Sequence, residues 1–152
     1  MNPKMILLLS FIAILTGCER SPEIPSRHVS AESLLHSYVL TQSNPKQIKR
    51  LCYRPETVET FGQDWDEFIE STSMANLTVK DSTLEEFQDS DEPMAEMTHN
   101  GIVARGAPTP IGYLRVNFED RNGFTGRYVR VPYGKHAGAY YICTWQKIEP
   151  AE

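Results

Sequence analysis

The stretch GYLRVNFEDRNGFTGRYVRVPY, residues 112–133, decides the fold. In both of its arms every second side chain is apolar, which is the period-two pattern of a strand with one buried face. Between the arms, residues 120–123 read Asp-Arg-Asn-Gly, the chemistry of a tight turn. The sequence therefore predicts an antiparallel hairpin of two long strands. Its expected inward-facing residues are Leu114, Val116, Phe118, Val129 and Val131.

The same alternation places a second set of side chains on the opposite face of the hairpin. Tyr113 and Arg115 come from the first arm, and Tyr128 and Arg130 come from the second. Aromatic and guanidinium groups together suit a protein interface or an anionic or sugar ligand, so we expect an exposed binding surface here. The alternative is that the acidic segment 85–92 covers this face and neutralises the arginines.

Helical patterns precede the hairpin, and strand patterns surround it. Ser30 can cap a helix over residues 31–41, Asn44-Pro45 has the start signal of a short second helix, and residues 58–69 have apolar side chains at helical spacing. This order predicts an α+β fold in which N-terminal helices are followed by an antiparallel meander sheet packed on them. Further strands are expected near residues 77–79, 97–103 and 139–148, and residues 81–96 are expected to be a solvated acidic loop.

The order of these elements is similar to that of the NTF2-like and cystatin-like folds. The resemblance is one of architecture, and no residue motif contributes to it. It implies a curved sheet that wraps a helix, in a fold class that contains both binding proteins and enzymes.

The N-terminus has the features of an export signal. Lys4 precedes an apolar run over residues 5–15. This run is too short for a membrane-spanning helix, which needs about 20 apolar residues. The following Leu15-Thr16-Gly17-Cys18 resembles the lipobox of bacterial lipoproteins. The resemblance implies that lipid is attached to the Cys18 sulfur and that the chain is cut between Gly17 and Cys18.

These features give the expected organisation of the chain. Residues 1–17 are expected to be a removed signal peptide, residues 18–29 a tether, and residues 30–149 a single α+β domain. The acylated Cys18 would hold the protein to the lipid bilayer of the cell membrane. Residue 19 is Glu instead of the Asp that marks inner-membrane retention in enteric bacteria, so the periplasmic face of the outer membrane is expected in a Gram-negative host.

Two further cysteines, Cys52 and Cys143, remain in the mature chain. In an oxidising envelope such a pair more often forms a disulfide than stays reduced, so a Cys52–Cys143 disulfide is expected. The alternative is two separate buried thiols.

No motif for catalysis, metal binding or a cofactor is present. The spacing of His28, His36, His99 and His136 fits no metal site, and no serine- or cysteine-nucleophile motif occurs. The acidic residues of segment 81–96 lack the glycine and the ligand spacing of a calcium-binding EF-hand. The net charge of −5 makes non-specific nucleic-acid binding an unfavourable function.

Two functions from different classes follow from these observations. The first is a membrane-anchored envelope lipoprotein whose small non-catalytic domain binds a ligand or an envelope protein. The alternative is a small NTF2-like envelope enzyme that acts on a glycan or a small molecule. A deep pocket with two converging ionisable groups would favour the enzyme, whereas a filled core would favour the binding protein.

Overall fold

A computed structural model describes residues 23–56, 65–88, 90–99 and 101–148. It confirms the α+β class, with helices and two antiparallel sheets. Within these ranges no helix has the length and apolar character needed to cross a membrane. The helices are α1 (Ala31–Thr41), a 3₁₀ helix (Pro45–Leu51) and α2 (Trp65–Thr72). The strands are β1 (Thr78–Glu85), β2 (Met97–His99), β3 (Ile102–Ala107), β4 (Pro110–Glu119), β5 (Thr125–His136), β6 (Ala139–Ile142) and β7 (Thr144–Lys147).

The strands form two sheets, whereas the sequence indicated a single meander. One sheet has the order β1-β4-β5-β6, and the other has the order β2-β3-β7. The expected last strand, residues 139–148, is divided at Cys143, where the chain passes from the first sheet to the second. At this point the amide of Cys143 donates to the carbonyl of Pro132 at 3.0 Å, and its thiol donates to the carbonyl of Pro108 at 3.1 Å. These two hydrogen bonds, to different segments of the chain, hold Cys143 in place between β6 and β7.

Strands β4 and β5 form the predicted hairpin and are the longest strands described. Asp120 organises the turn, because its Oδ1 accepts hydrogen bonds from the amides of Asn122 and Phe124 at 2.8 and 2.9 Å. Gly123 adopts a φ of 74°, a left-handed conformation that glycine reaches without a Cβ penalty. The turn chemistry read from the sequence is therefore the chemistry that closes the hairpin.

The inner face of the first sheet forms the core. Leu114, Val116 and Phe118 of β4 are fully buried in one cluster with Leu34 and Tyr38 of α1. The Tyr38 hydroxyl donates to the carbonyl of Thr72, which links α1 to the end of α2. Ser30 caps α1 by accepting from the amide of Ser33 at 3.1 Å, as its position in the sequence indicates.

The N-terminal segment belongs to the packed domain from residue 24 onward. Ile24 lies in the core cluster, although it was expected in the tether, and His28 is buried and pairs with Tyr140 of β6. The His28 Nε2 is 2.9 Å from the Ser37 hydroxyl of α1. Arg27 Nη2 donates to the carbonyl of Ala137 in the β5–β6 turn at 2.9 Å. The packed part of the chain therefore begins several residues before residue 30.

Strand β1 extends further than the sequence suggested. It runs to Glu85 and pairs along most of its length with β4, so residues 81–85 are strand and not part of a solvated loop. Pairing with the long β4 overrides the weak strand propensity of this polar segment. Glu85 is thereby fixed opposite Tyr113.

Candidate functional site

The structure brings Tyr113, Arg115, Tyr128 and Arg130 together on the outer face of the four-stranded sheet. We call these four residues the Arg/Tyr cluster. Arg115 of β4 lies directly opposite Arg130 of β5 in the hairpin register. Because side chains alternate along each strand, the inward neighbours Leu114 and Val131 enter the core while the arginines point away from it.

Each arginine of the cluster lies over a tyrosine of the neighbouring strand. The guanidinium carbon of Arg115 is 4.1 Å from the ring centroid of Tyr128, and that of Arg130 is 3.6 Å from the ring centroid of Tyr113. Like charges directly opposite each other across a sheet repel, and these diagonal contacts direct each guanidinium towards an aromatic face. The cluster is therefore an ordered pair of cation–π contacts.

Glu85 bridges the two arginines. Its Oε1 accepts from Arg115 Nη1 at 3.0 Å, and its Oε2 accepts from Arg130 Nε at 2.6 Å. One carboxylate thus bonds both guanidinium groups and offsets the repulsion between them. On the far side of Arg115, its Nε donates to Asn117 Oδ1 at 2.9 Å.

A second carboxylate reaches the cluster from the loop that follows β1. We call the described residues of this segment, 86–88 and 90–92, the acidic loop. Asp91 Oδ2 lies 3.4 Å from Arg130 Nη2, and the Phe87 ring meets Tyr113 edge-on with 4.9 Å between the ring centroids. The alternative stated for this face, cover by the acidic segment, is therefore seen in the contacts of Glu85 and Asp91.

The cluster is partly covered, although the sequence suggested an exposed patch. The side chains of Arg115 and Arg130 are 32% and 29% exposed, while Tyr128 is 50% exposed. An open concavity of 710 Å³ lies between the sheet and the acidic loop. Its lining residues are Glu85, Glu86, Phe87, Gln88, Asp91, Arg115, Tyr128 and Arg130.

The surroundings of Arg130 and Tyr113 raise the pKa of both groups. Burial disfavours the charge of Arg130, but the hydrogen bond and charge of Glu85 and the charge of Asp91 raise its pKa. Burial and the same two carboxylates raise the pKa of Tyr113, while Arg130 opposes this shift. Arg130 is therefore a cation and Tyr113 a neutral phenol at physiological pH.

Comparison with known proteins gives no relative for this arrangement. No protein-family model matches the chain, and no curated protein or solved structure is significantly similar to it.

The predicted disulfide residues lie near one another in the core region but are not joined in the structure. The backbone of Cys52 forms an isolated β-bridge with Ile142, the residue before Cys143. Both cysteines are buried free thiols. The Cys52 thiol donates to the carbonyl of Ile48 at 3.4 Å, whereas Cys143 bonds Pro108. Burial raises the pKa of both thiols, to about 12 for Cys143, so neither is a reactive thiolate. The disulfide stays a prediction.

The histidines do not assemble into a site in the described part of the chain. His28 is hydrogen-bonded to Ser37, and the ring of His136 is tilted by 57° against that of Tyr53, with 5.1 Å between the ring centroids. Among the described residues, no group of three or more potential metal ligands converges. The predicted lipidation residue, Cys18, lies outside the described residues.

The expected exposed patch left out three participants in the site, Glu85, Phe87 and Asp91, which only the alternative of cover by segment 85–92 included. All three belong to the segment that was expected to be a solvated loop. One signal was present in the sequence, because a hairpin that sets Arg115 beside Arg130 requires an anion between them. The acidic segment 85–92 was its nearest source.

Proposed function

We propose that this protein is a lipid-anchored lipoprotein of the bacterial cell envelope whose non-catalytic domain binds a ligand or a partner protein. The anchor part of the proposal rests on Leu15-Thr16-Gly17-Cys18 and on the apolar run before it. Lipid on Cys18 would hold the domain at the cell membrane. Glu19 favours the periplasmic face of the outer membrane in a Gram-negative host.

The observation that carries the binding role is the ordered Arg/Tyr cluster beside an open concavity. Two guanidinium groups are held over tyrosine rings by cation–π contacts and by the bridging Glu85. A surface used only for solubility does not need its cations fixed in this way, because mobile side chains hydrate equally well. Arginine and tyrosine are also the residue types enriched in binding surfaces.

The packing of the inner face favours a binding protein over an NTF2-like enzyme. Such an enzyme would hold its cavity between the curved sheet and the helices. Here Leu114, Val116 and Phe118 are fully buried against Leu34 and Tyr38 of α1. The helices before the sheet would therefore cover its inner face, and the outer face would be the functional one.

The anchor is tested by the substitution Cys18→Ser. We expect this variant to accumulate as a precursor and to leave the detergent phase in a phase-partitioning experiment. Normal processing and unchanged partitioning of the variant would contradict the anchor.

The binding role is tested by replacing Arg115 and Arg130 with alanine together. A photoreactive amino acid at position 128 is used to cross-link the protein to its neighbours in intact cells. We expect the adducts to disappear in the double variant and to persist in a control with Arg121→Ala and Arg127→Ala. Both control residues are exposed arginines of the same hairpin, so the change of charge is matched. Unchanged adducts in the double variant, together with a lower free energy of unfolding, would assign the cluster a purely structural role.

A further inference from the structure

The net charge of the side chains around the cluster would change sign if the acidic loop moved away from it. With the loop in place, the concavity is lined by three carboxylates and two guanidinium groups. Without the loop, Glu85 of β1 alone faces Arg115 and Arg130, and one positive charge is left uncompensated. Without the loop this face would attract an anion, and the carboxylates of the loop outweigh that positive charge.

The contact between Asp91 and Arg130 is weak. The distance of 3.4 Å between Asp91 Oδ2 and Arg130 Nη2 is longer than the usual 2.7–3.2 Å of an N–H···O hydrogen bond. The same Oδ2 accepts from the amide of Gln88 at 3.0 Å, and the Asp91 amide donates back to the Gln88 carbonyl at 2.8 Å. Asp91 is thus bonded mainly to its own loop, whereas Glu85 is bonded mainly to the cluster.

Both arginines keep a nitrogen available for a second acid. Among the described residues, Arg115 Nη2 and Arg130 Nη1 have no hydrogen-bond partner. Both side chains line the 710 Å³ concavity. A carboxylate that approaches freely can bond a guanidinium through two parallel N–H···O bonds, which Asp91 does not do here.

Among the described residues of the acidic loop, one ring and one carboxylate contact the cluster. Phe87 packs edge-on against Tyr113, and Asp91 contacts Arg130, while Glu86, Gln88 and Glu92 are exposed. A segment with so few buried contacts opens at little cost in free energy. The two contacts also show which chemistry the face accepts: a peptide with an aromatic residue and a carboxylate four positions apart.

We infer that the Arg/Tyr cluster is a receptor site for an acidic, aromatic-bearing peptide segment of a partner protein, and that the acidic loop occupies this site in the free protein as a resident competitor. The inference rests on the binding role proposed above and adds the chemistry of the partner. A partner segment displaces Asp91 and Phe87 and then pairs with Arg115 and Arg130. No covalent step is involved.

The test uses the sequence of Glu85 and the segment that follows it as the probe. A fluorescent, end-capped peptide EEFQDSDE, the sequence of residues 85–92, is titrated into the purified mature domain at low salt. The substitution Asp91→Asn removes the charge that competes with the peptide while keeping an oxygen for the Gln88 amide. We expect the peptide to bind this variant at least five-fold more tightly than the wild type.

Two controls make the result specific. Glu92→Gln removes the same charge from an exposed position of the same loop, and we expect it to change the affinity less than two-fold. Arg130→Gln in the Asp91→Asn background is expected to reduce peptide binding at least five-fold. A peptide in which all acidic residues are replaced by their amides should not bind any variant.

The outcomes separate this inference from the function on which it rests. Equal or absent peptide binding by the wild type and the Asp91→Asn variant, with both folded by circular dichroism, overturns the inference. If the cellular cross-links then still depend on Arg115 and Arg130, the binding role survives with a partner of different chemistry. If the cross-links do not depend on them, both proposals are wrong.

Discussion

The substitution Glu85→Gln tests whether one carboxylate holds the two arginines of the outer face together. Glutamine keeps the shape of the side chain but replaces one carboxylate oxygen by an amide NH₂. This NH₂ group is a hydrogen-bond donor, so it cannot accept from the N–H groups of a guanidinium. The variant loses the ion pairs of 3.0 Å to Arg115 and 2.6 Å to Arg130. It also leaves two like charges directly opposite each other in the β4–β5 register.

The expected magnitude follows from these contacts. Each partly exposed ion pair contributes about 0.2–1 kcal/mol, and uncompensated like charges across a sheet cost a similar amount. We therefore expect the free energy of unfolding to fall by about 1–2 kcal/mol. For a domain of this size, that corresponds to a decrease in Tm of roughly 4–8 °C.

Urea unfolding at low and high salt measures this effect. The matched control is Glu86→Gln, which removes the same charge from the adjacent, exposed residue. At 1 M salt the Debye length is about 3 Å, so the difference between the wild type and Glu85→Gln should shrink because the lost pairs are screened. Equal unfolding free energies for Glu85→Gln and Glu86→Gln at low salt would refute the bridging role.

Three further predictions concern the core and the buried groups. Phe118→Ala empties the centre of the core and should lower the free energy of unfolding by about 3–5 kcal/mol in urea, whereas Phe124→Ala at the exposed turn should change it by less than about 0.5 kcal/mol. Burial lowers the pKa of His28 in the folded state below its ordinary value of 6.5. The contribution of a neutral His28 to the free energy of unfolding should therefore be complete above pH 6.5 and decrease as the pH falls towards the folded-state pKa. The substitution His28→Gln should flatten this pH dependence. If the predicted Cys52–Cys143 disulfide forms, neither cysteine should be alkylated in denaturant until a reductant is added, as measured by mass spectrometry. Alkylation of both cysteines without reductant would instead show two free thiols.

The central hairpin could be predicted because its signals are local. Alternation of Leu114, Val116 and Phe118 fixes the buried face, and Asp120 and Gly123 supply the turn. The division of the expected last strand at Cys143 could not be read in the same way. It depends on hydrogen bonds to Pro132 and Pro108, which lie 11 and 35 residues before Cys143 and on other segments of the fold.

The hairpin half of the candidate site followed directly from the sequence, whereas the acidic half entered only as an alternative. Alternation alone places Arg115 and Arg130 on one face. The acidic half depends on β1 pairing with β4 up to Glu85, against the weak strand propensity of a segment rich in polar residues. Propensity favours a loop there, and the gain from pairing with an already formed hairpin is not visible in the local sequence.

The burial of Ile24 and His28 sets how far a membrane-anchored domain can reach. Five residues, Glu19 to Glu23, separate the predicted lipidated Cys18 from the packed chain, and fully extended they span at most about 18 Å. The N-terminal segment joins the domain at the β5–β6 turn, and the β4–β5 turn with the exposed Phe124 lies at the other end of β5, roughly 40 Å away. If Cys18 is lipidated as proposed, the domain would reach no more than about 60 Å above its own membrane, and a partner would have to come within that distance to bind.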